Sequence, residues 1–236
     1  MTSRLASTER PRLAVIPVGT GSDFARGLGL DGSPVSSVQT LMNGQTNPVD
    51  IGRVDFQRRG RSWTRYFINV FDAGLGGQVV RIANAMPKHL GGFITFLASS
   101  LVGLATFRTP ILRIEIDGQP VASGPITIVG CANGQYFGGG MHIAPMAKLD
   151  DGQMEILYVR DTTLFTFLRR VLLPVYKAGH LGYKRLFHHK GQSVVISGKQ
   201  TFLCEVDGEE ERTETAAVSL LPKALRIVMP AVSNRA

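Results

Sequence analysis

The chain opens on a polar stretch, MTSRLASTERPR, and turns apolar at Leu13, Ala14, Val15 and Ile16. An apolar run of that length, closed by Pro17 and the glycines at 19 and 21, predicts a buried strand over 12–18 and then a tight turn. From Ser22 or Asp23 the apolar spacing becomes helical and holds to about Leu28, with Gly29 near the end. Asp31-Gly32-Ser33-Pro34 reads as a turn in which Ser33 caps a second helix and Pro34 takes its first position. That helix should run to about Met42 and stop at Asn43-Gly44.

From Asn47 onward the pattern is mostly that of strands. One strand leads to a basic hairpin tip at Arg58-Arg59-Gly60-Arg61, and another should run from Ser62 to Phe71. After Gly74, Gly76 and Gly77 a helix is expected from about Gln78 to Ala85. Phe93, Phe96, Leu97, Leu101, Leu104 and Phe107 then recur at helical spacing and predict an amphipathic helix over 90–107. Further strands are expected at 112–116, 126–132, 154–159, 193–196, 202–206 and 216–220, with a short helix at 164–171. Asp-Gly pairs at 117–118, 151–152 and 207–208 are hairpin signals. The pattern therefore describes a small α/β piece joined to a larger, mainly antiparallel β part.

Composition narrows the class. The chain has 236 residues and is 44% hydrophobic, enough for a sizeable core in one domain or two small ones. Its formal charge of +8 favours anionic partners such as nucleotides, nucleic acid or an anionic membrane. Cys131 and Cys204 lack metal-ligand spacing, and free thiols in a reducing compartment are the simpler reading. The polar N-terminal tail has no apolar core of a secretory signal and reads as disordered. The stretch 90–107 carries no charge over 18 residues, the lower edge of a spanning length. Its glycines, serines and threonines and its helical periodicity instead fit a packed or interfacial helix.

Four constellations carry candidate chemistry. Gly19-Thr20-Gly21-Ser22-Asp23 follows a strand and opens a helix. There glycines allow a phosphate to approach the backbone, Thr20 offers a hydroxyl, and Asp23 can cap the helix or orient a base. A plain strand-to-helix turn explains the same residues. Asn133 to Met141 holds three successive glycines, 138–140, which suit a tight loop facing a pocket or a wide turn without ligand. In Ala144 to Gly152, Asp150 and Asp151 beside a glycine suit a hard divalent cation, or an ordinary surface turn. Val206-Asp207-Gly208-Glu209 delivers two carboxylates around a turn, one of which could accept the proton of an attacking hydroxyl. Alone, it is an ordinary hairpin.

Order and spacing give these pieces a joint meaning. The set GTGSDFAR … NGQYFGGGMHIAPMAKLDDG … VDGE closely resembles the diacylglycerol kinase catalytic family, in particular bacterial soluble lipid kinases and the related sphingosine and ceramide kinases. The resemblance runs from about Leu13 to Pro230. It implies two domains: an α/β nucleotide-binding unit over 1–46, completed by 222–236, and a β-sandwich-like lipid kinase unit over 47–221. It implies transfer of the ATP γ-phosphoryl group to a lipid hydroxyl, with Mg2+ as cofactor. Thr20 would contact the nucleotide, within the binding segment Gly19, Thr20, Gly21, Ser22 and Asp23. Asp151 would organise the magnesium loop with the backbone carbonyls of Lys148 and Gln153. Glu209 would be the general base, with Asp207 its partner in charge or in contact with metal-bound water.

The chain departs from the family pattern at position 22, where serine replaces the common asparagine, and in having no G-G-D-G-T phosphate loop. The expectation is then a family member lacking its N-terminal strands and helices, with an open sheet edge, an exposed apolar face and doubtful turnover of ATP. A catalytically dead remnant that binds lipid or protein is the alternative. A nucleic-acid module has only the charge in its favour, and NAD kinase is disfavoured by the P-M-A-K-L-D-D-G segment. The expected partners are a membrane lipid, an anionic membrane surface and a second copy in a homodimer, with no nucleic acid. The expected location is cytoplasmic and peripheral to membrane. Two basic groups could face the membrane: Arg58, Arg59, Arg61 and Arg65, and then Arg169, Arg170, Lys177, Lys184, Arg185 and Lys190. A solvated surface is the other reading for both, as it is for His188-His189.

Overall fold

Strands order most of this chain. The computed structural model describes residues 12–18, 22–86 and 92–230. Residues 1–11, Gly19 to Gly21, 87–91 and 231–236 lie outside the described residues. In chain order the elements begin with β1 (Arg12–Leu13), α1 (Asp23–Gly27), α2 (Pro34–Asn43), β2 (Gln45–Arg58), β3 (Arg61–Phe67) and β4 (Val70–Gly74). Helices α3 (Leu75–Ala85) and α4 (Gly92–Thr106) follow, and then β5 (Ile111–Ile116), β6 (Gln119–Ala132), β7 (Tyr136–Phe137) and β8 (Met141–His142). The last part holds β9 (Met154–Arg160), α5 (Leu164–Phe167), β10 (Leu186–Gly191), β11 (Ser193–Val206) and β12 (Glu209–Met229).

The main sheet runs in the order β10-β9-β6-β4-β11-β12-β2-β3. Strands β4 and β5 both pair with β6 and with β11, at opposite ends of each, so two short strands share one lane between two long ones. Each neighbouring pair in this order is antiparallel, and β1 adds a two-residue parallel contact on β12. Three tips use the same device: Arg59-Gly60, Asp117-Gly118 and Asp207-Gly208 each place two residues at positive φ, the geometry that matches strand twist.

One face of the sheet encloses the main core, built from Phe56, Phe71, Ile114, Ile126, Ile156, Ile196 and their neighbours. Rings from distant strands meet there: Phe56 and Phe67 lie 6.2 and 6.3 Å from Phe71. The sheet must curl for its ends to share that core. The other face carries α3 and α4, where Leu75, Val79 and Leu104 pack with Val159, Phe167 and Val171. The two cysteines are free and buried in the main core.

The fold class read from the sequence is right, and several boundaries move. The Ser33 cap and Pro34 start of α2 stand as expected, with Ser33 accepting the Ser36 N–H. The strand expected over 12–18 is reduced to Arg12–Leu13, and Leu13 and Ile16 each remain 48% exposed. With β12 on one side only, the rest of the run has no ladder to join. Strands expected at 193–196 and 202–206 are one strand with an irregularity between Ser197 and Phe202. The short helix at 164–171 is α for one turn and then π over 168–172. Asp151-Gly152 is not a hairpin tip, because it leads from a loop into β9.

The helix expected from Gln78 begins at Leu75, because Gly76 and Gly77 belong to its first turn. A Cβ at Gly76 would fall 2.0 Å from Asp72 Oδ2, and one at Gly77 would fall 2.7 Å from Cys204 N. These glycines let the helix press onto the sheet and do not mark a loop. No helix among the described residues is long and apolar enough to cross a membrane.

Candidate active site

Helix α1 is short, and its first residue explains its place. The Asp23 carboxylate accepts the N–H groups of Gly139 and Gly140 at 2.6 and 2.7 Å, and Arg26 Nη1 at 2.7 Å. Arg26 in turn lies over the Tyr136 ring, which stacks on His142. Residues 116 and 117 positions apart in sequence thus meet through one side chain. Gly140 has little room for a side chain, since a Cβ there would fall 3.2 Å from Arg26 Nη1, and its φ is +101°. Ser22 stands at φ 49° before α1 without a side-chain cap bond to it. Gly19, Thr20 and Gly21 lie outside the described residues.

Across a cleft of about 520 Å3 from Ser22 and Asp23 stand Glu205, Asp207, Gly208 and Asn69. Asp207 acts as a clamp: its carboxylate accepts the N–H groups of Ile68, Asn69 and Val70. Burial raises its pKa, and these three donors oppose the rise. The outer edge of the residue is open to solvent, while its carboxyl lies beneath the segment it caps. Glu209, the first residue of β12, is exposed and faces Val206 in register. The carboxylate that borders the cleft from the interior is Glu205.

The Leu149-to-Gly152 loop is held by a residue the sequence reading passed over. Asp50 is fully buried and accepts the N–H of Gly152 and the N–H of Lys223, each at 2.7 Å. It thereby joins the loop to the irregular step of β12 between Leu221 and Leu225. The only signal available was an aspartate inside an apolar strand, at N-P-V-D. Asp151, Lys148 and Gln153 are exposed on this loop. Asp151 accepts the Gln153 N–H and lies 3.7 Å from Lys190 Nζ. Lys190 also bonds the buried Glu155 at 2.9 Å, and His188 bonds that same carboxylate. These two side chains are therefore engaged with acids.

Among the described residues, no three His, Cys, Asp and Glu side chains converge on a point where a metal could sit. The loop still offers hard oxygen donors: one carboxylate and main-chain carbonyls. That set fits a cation that keeps most of its water, as Mg2+ does, and not a closed cage.

Beside the polar cleft lies an apolar cavity lined by Leu75, Val79, Ile128, Leu157, Phe167 and Val171. The buried His180 contributes to the same wall, with its Nε2 2.9 Å from the Ile143 carbonyl, and burial lowers its pKa. Val80 and Phe137 border both spaces.

Known proteins resemble this arrangement over most of its length. The family model of the YegS C-terminal NAD kinase beta sandwich-like domain matches residues 69–229, and that of the diacylglycerol kinase catalytic domain matches residues 2–54. A diacylglycerol kinase of Bacillus subtilis (strain 168) is 30% identical over 225 residues, 94% of this chain and 70% of that protein. The "Probable lipid kinase YegS-like" protein of Chromohalobacter salexigens is 29% identical over 230 residues, 96% and 70% of the two chains. Two crystal structures from Bacillus anthracis str. Sterne share the fold. One, of a diacylglycerol kinase, has a TM-score of 0.66 at 23% identity, covering 94% of this chain and 68% of that one. The other has a TM-score of 0.72 at 25% identity, covering 93% and 68%.

Proposed function

This chain belongs to the diacylglycerol kinase family of lipid kinases, and we propose that it transfers the γ-phosphoryl group of ATP to a lipid hydroxyl, diacylglycerol-like or sphingoid. The observation that carries the reading is the shared wall. Val80 and Phe137 border both the acidic cleft and the apolar cavity. A molecule with a hydroxyl head and an apolar tail satisfies both spaces at once, whereas a wholly polar alcohol leaves the cavity unused.

In this reading the lipid hydroxyl oxygen bonds to the γ-phosphorus as the bond to the ADP oxygen breaks, and the hydroxyl proton passes to Glu209. Asp207 fixes the turn that carries Glu209. Thr20, within Gly19 to Asp23, contacts the nucleotide, and Asp23 holds the start of α1 against Gly139 and Gly140. Asp151 and the main-chain oxygens of Lys148 and Gln153 would hold Mg2+, which when bound neutralises phosphate charge. We assign nucleotide binding to 1–46 with 222–236 and lipid binding to 47–221. The protein would work from the cytoplasm, docked on an anionic membrane by the 164–187 segment, in which Arg169, Arg170, Lys177 and Lys184 are exposed together with Phe165 and Leu173.

The test is phosphate transfer from labelled ATP to mixed-lipid vesicles with Mg2+. Wild type should label a lipid, and Glu209→Ala should reduce kcat by about a hundredfold or more, the scale of a lost general base. Equal rates in both would remove Glu209 from the mechanism. A second reading, a lipid-binding protein without transfer, is favoured by the exposure of Glu209. It predicts no labelled lipid but saturable uptake of a fluorescent long-chain lipid, abolished by filling the cavity with Val79→Trp.

A further inference from the structure

The transfer reading makes no use of two fully enclosed acids that lie side by side. Asp72 on β4 and Glu205 on β11 are directly opposed in the ladder, and both are 0% exposed. Their neighbours Phe71, Ala73, Cys204 and Val206 point into the main core, so both carboxyls lie on the opposite face, under the first turn of α3. Gly76 is the residue that leaves room for Asp72 there. Among the described residues no hydrogen bond of ordinary geometry reaches either Asp72 oxygen, the Gly77 N–H acting on that carboxyl without one, and Glu205 Oε1 has none. Glu205 Oε2 accepts the N–H of Gly208 at 2.9 Å.

No cation answers this pair among the described residues. Opposite Asp72 on β6 stands Gly130, and opposite Glu205 on β12 stands Glu210, which is paired with Arg212. On α3 the polar side chain in the first turns is Gln78, which bonds Thr106, and the cation of that helix, Arg81, borders a separate pocket. From the hairpin comes Asp207, another acid, and from α1 come Asp23 and Arg26, which are bonded to each other. Cys204 and Cys131 are buried thiols. Two enclosed carboxyls with no counter-charge do not both ionise at neutral pH.

We propose that Glu205 is a positioning residue for the Asp207-Gly208-Glu209 turn: enclosed and without a counter-charge, it grips the Gly208 N–H from behind while Asp207 grips Ile68 to Val70 from the other side. The turn is then clamped by two acids of opposite character, one neutral and enclosed, one bonded to three donors. Burial first, and then the proximity of the Asp72 carboxyl, holds the Glu205 carboxyl well above the usual range. Ionising it would place a charge against both Asp72 and Asp207 and strain the clamp.

The proposal rests on the transfer reading, and its experiment has an arm that does not. Glu205→Leu removes the acceptor and should lower kcat about tenfold or more with little change in KM. Glu205→Gln keeps a neutral acceptor, should rescue most of that loss, and should extend activity to higher pH than wild type. If Gln is as damaging as Leu, an ionised carboxylate is required and the proposal falls. If Leu is harmless, the turn does not depend on Glu205. Should wild type transfer no phosphate, hydrogen exchange decides: the Gly208 amide should be protected in wild type and Glu205→Gln and open in Glu205→Leu. Equal protection in all three overturns the clamp whatever the enzyme does.

Discussion

Asp72 shows how a single buried acid ties stability to pH. Enclosure beneath α3 pushes its pKa up to about 8, opposed only in part by the Gly77 N–H. In the unfolded chain the same group ionises near the ordinary value of about 4. Between those limits the folded state binds one more proton than the unfolded state, so stability falls as pH rises and levels off above 8. Asp72→Asn should remove this slope, up to about 1.4 kcal/mol per pH unit for one proton. Urea unfolding of both proteins at several pH values measures it, and parallel curves would show that Asp72 ionises in place. Asp50 is bonded differently. It is equally buried, yet it has two N–H donors and its own backbone bond to Leu149. Neither acid was singled out in the sequence, since each is one aspartate in an apolar strand. Their partners come from positions between 5 and 173 residues away.

At the scale of the element, local signals served best where the chemistry is local. Ser33-Pro34 starts α2, and Asp117-Gly118 and Asp207-Gly208 turn hairpins, because cap and turn geometry depends on a few adjacent residues. Signals failed where packing decides, as at Gly76-Gly77, which looked like a loop and is a helix start. The 164–187 segment combines both cases. Its inner residues Phe167 and Val171 line the apolar cavity, while Phe165 and Leu173 stay 72% and 63% exposed. Between 162 and 192 the sequence has six Lys and Arg and no Asp or Glu. Arg169→Glu with Arg170→Glu should weaken binding to anionic vesicles more than tenfold, at roughly 1 kcal/mol per charge, and leave neutral vesicles unaffected. Vesicle sedimentation at two salt concentrations reads this. Unchanged binding would move the membrane face elsewhere.

Over the whole molecule, apolar surface is unevenly covered. The curled sheet and its two helices bury a core on each face, but α2 buries only Ser37 and leaves Val35 67% and Met42 77% exposed. Leu13 and Ile16 on the β1 segment are half exposed as well. Exposed large apolar side chains in this number favour association. Sedimentation velocity should show this chain associating as concentration rises, and Val35→Lys with Met42→Lys should hold it monomeric. A wild-type chain that stays monomeric would show this face is tolerated in water.

Sequence alone determined the family, through motifs whose order and spacing are one-dimensional facts, and the sequence of helices and turns, through periodicity and caps. It also indicated the mainly antiparallel class, through short strands punctuated by Asp-Gly. Only the tertiary structure decided that Asp23 binds the Gly139–Gly140 loop, that Asp50 organises the Asp151 turn, and that Glu205 and Asp72 share an enclosed site behind Asp207. Those pairings depend on strand register and on how the sheet curls. Both are set by the joint packing of Phe56, Phe71, Ile156 and the rest of the core and leave no mark in any local stretch of residues.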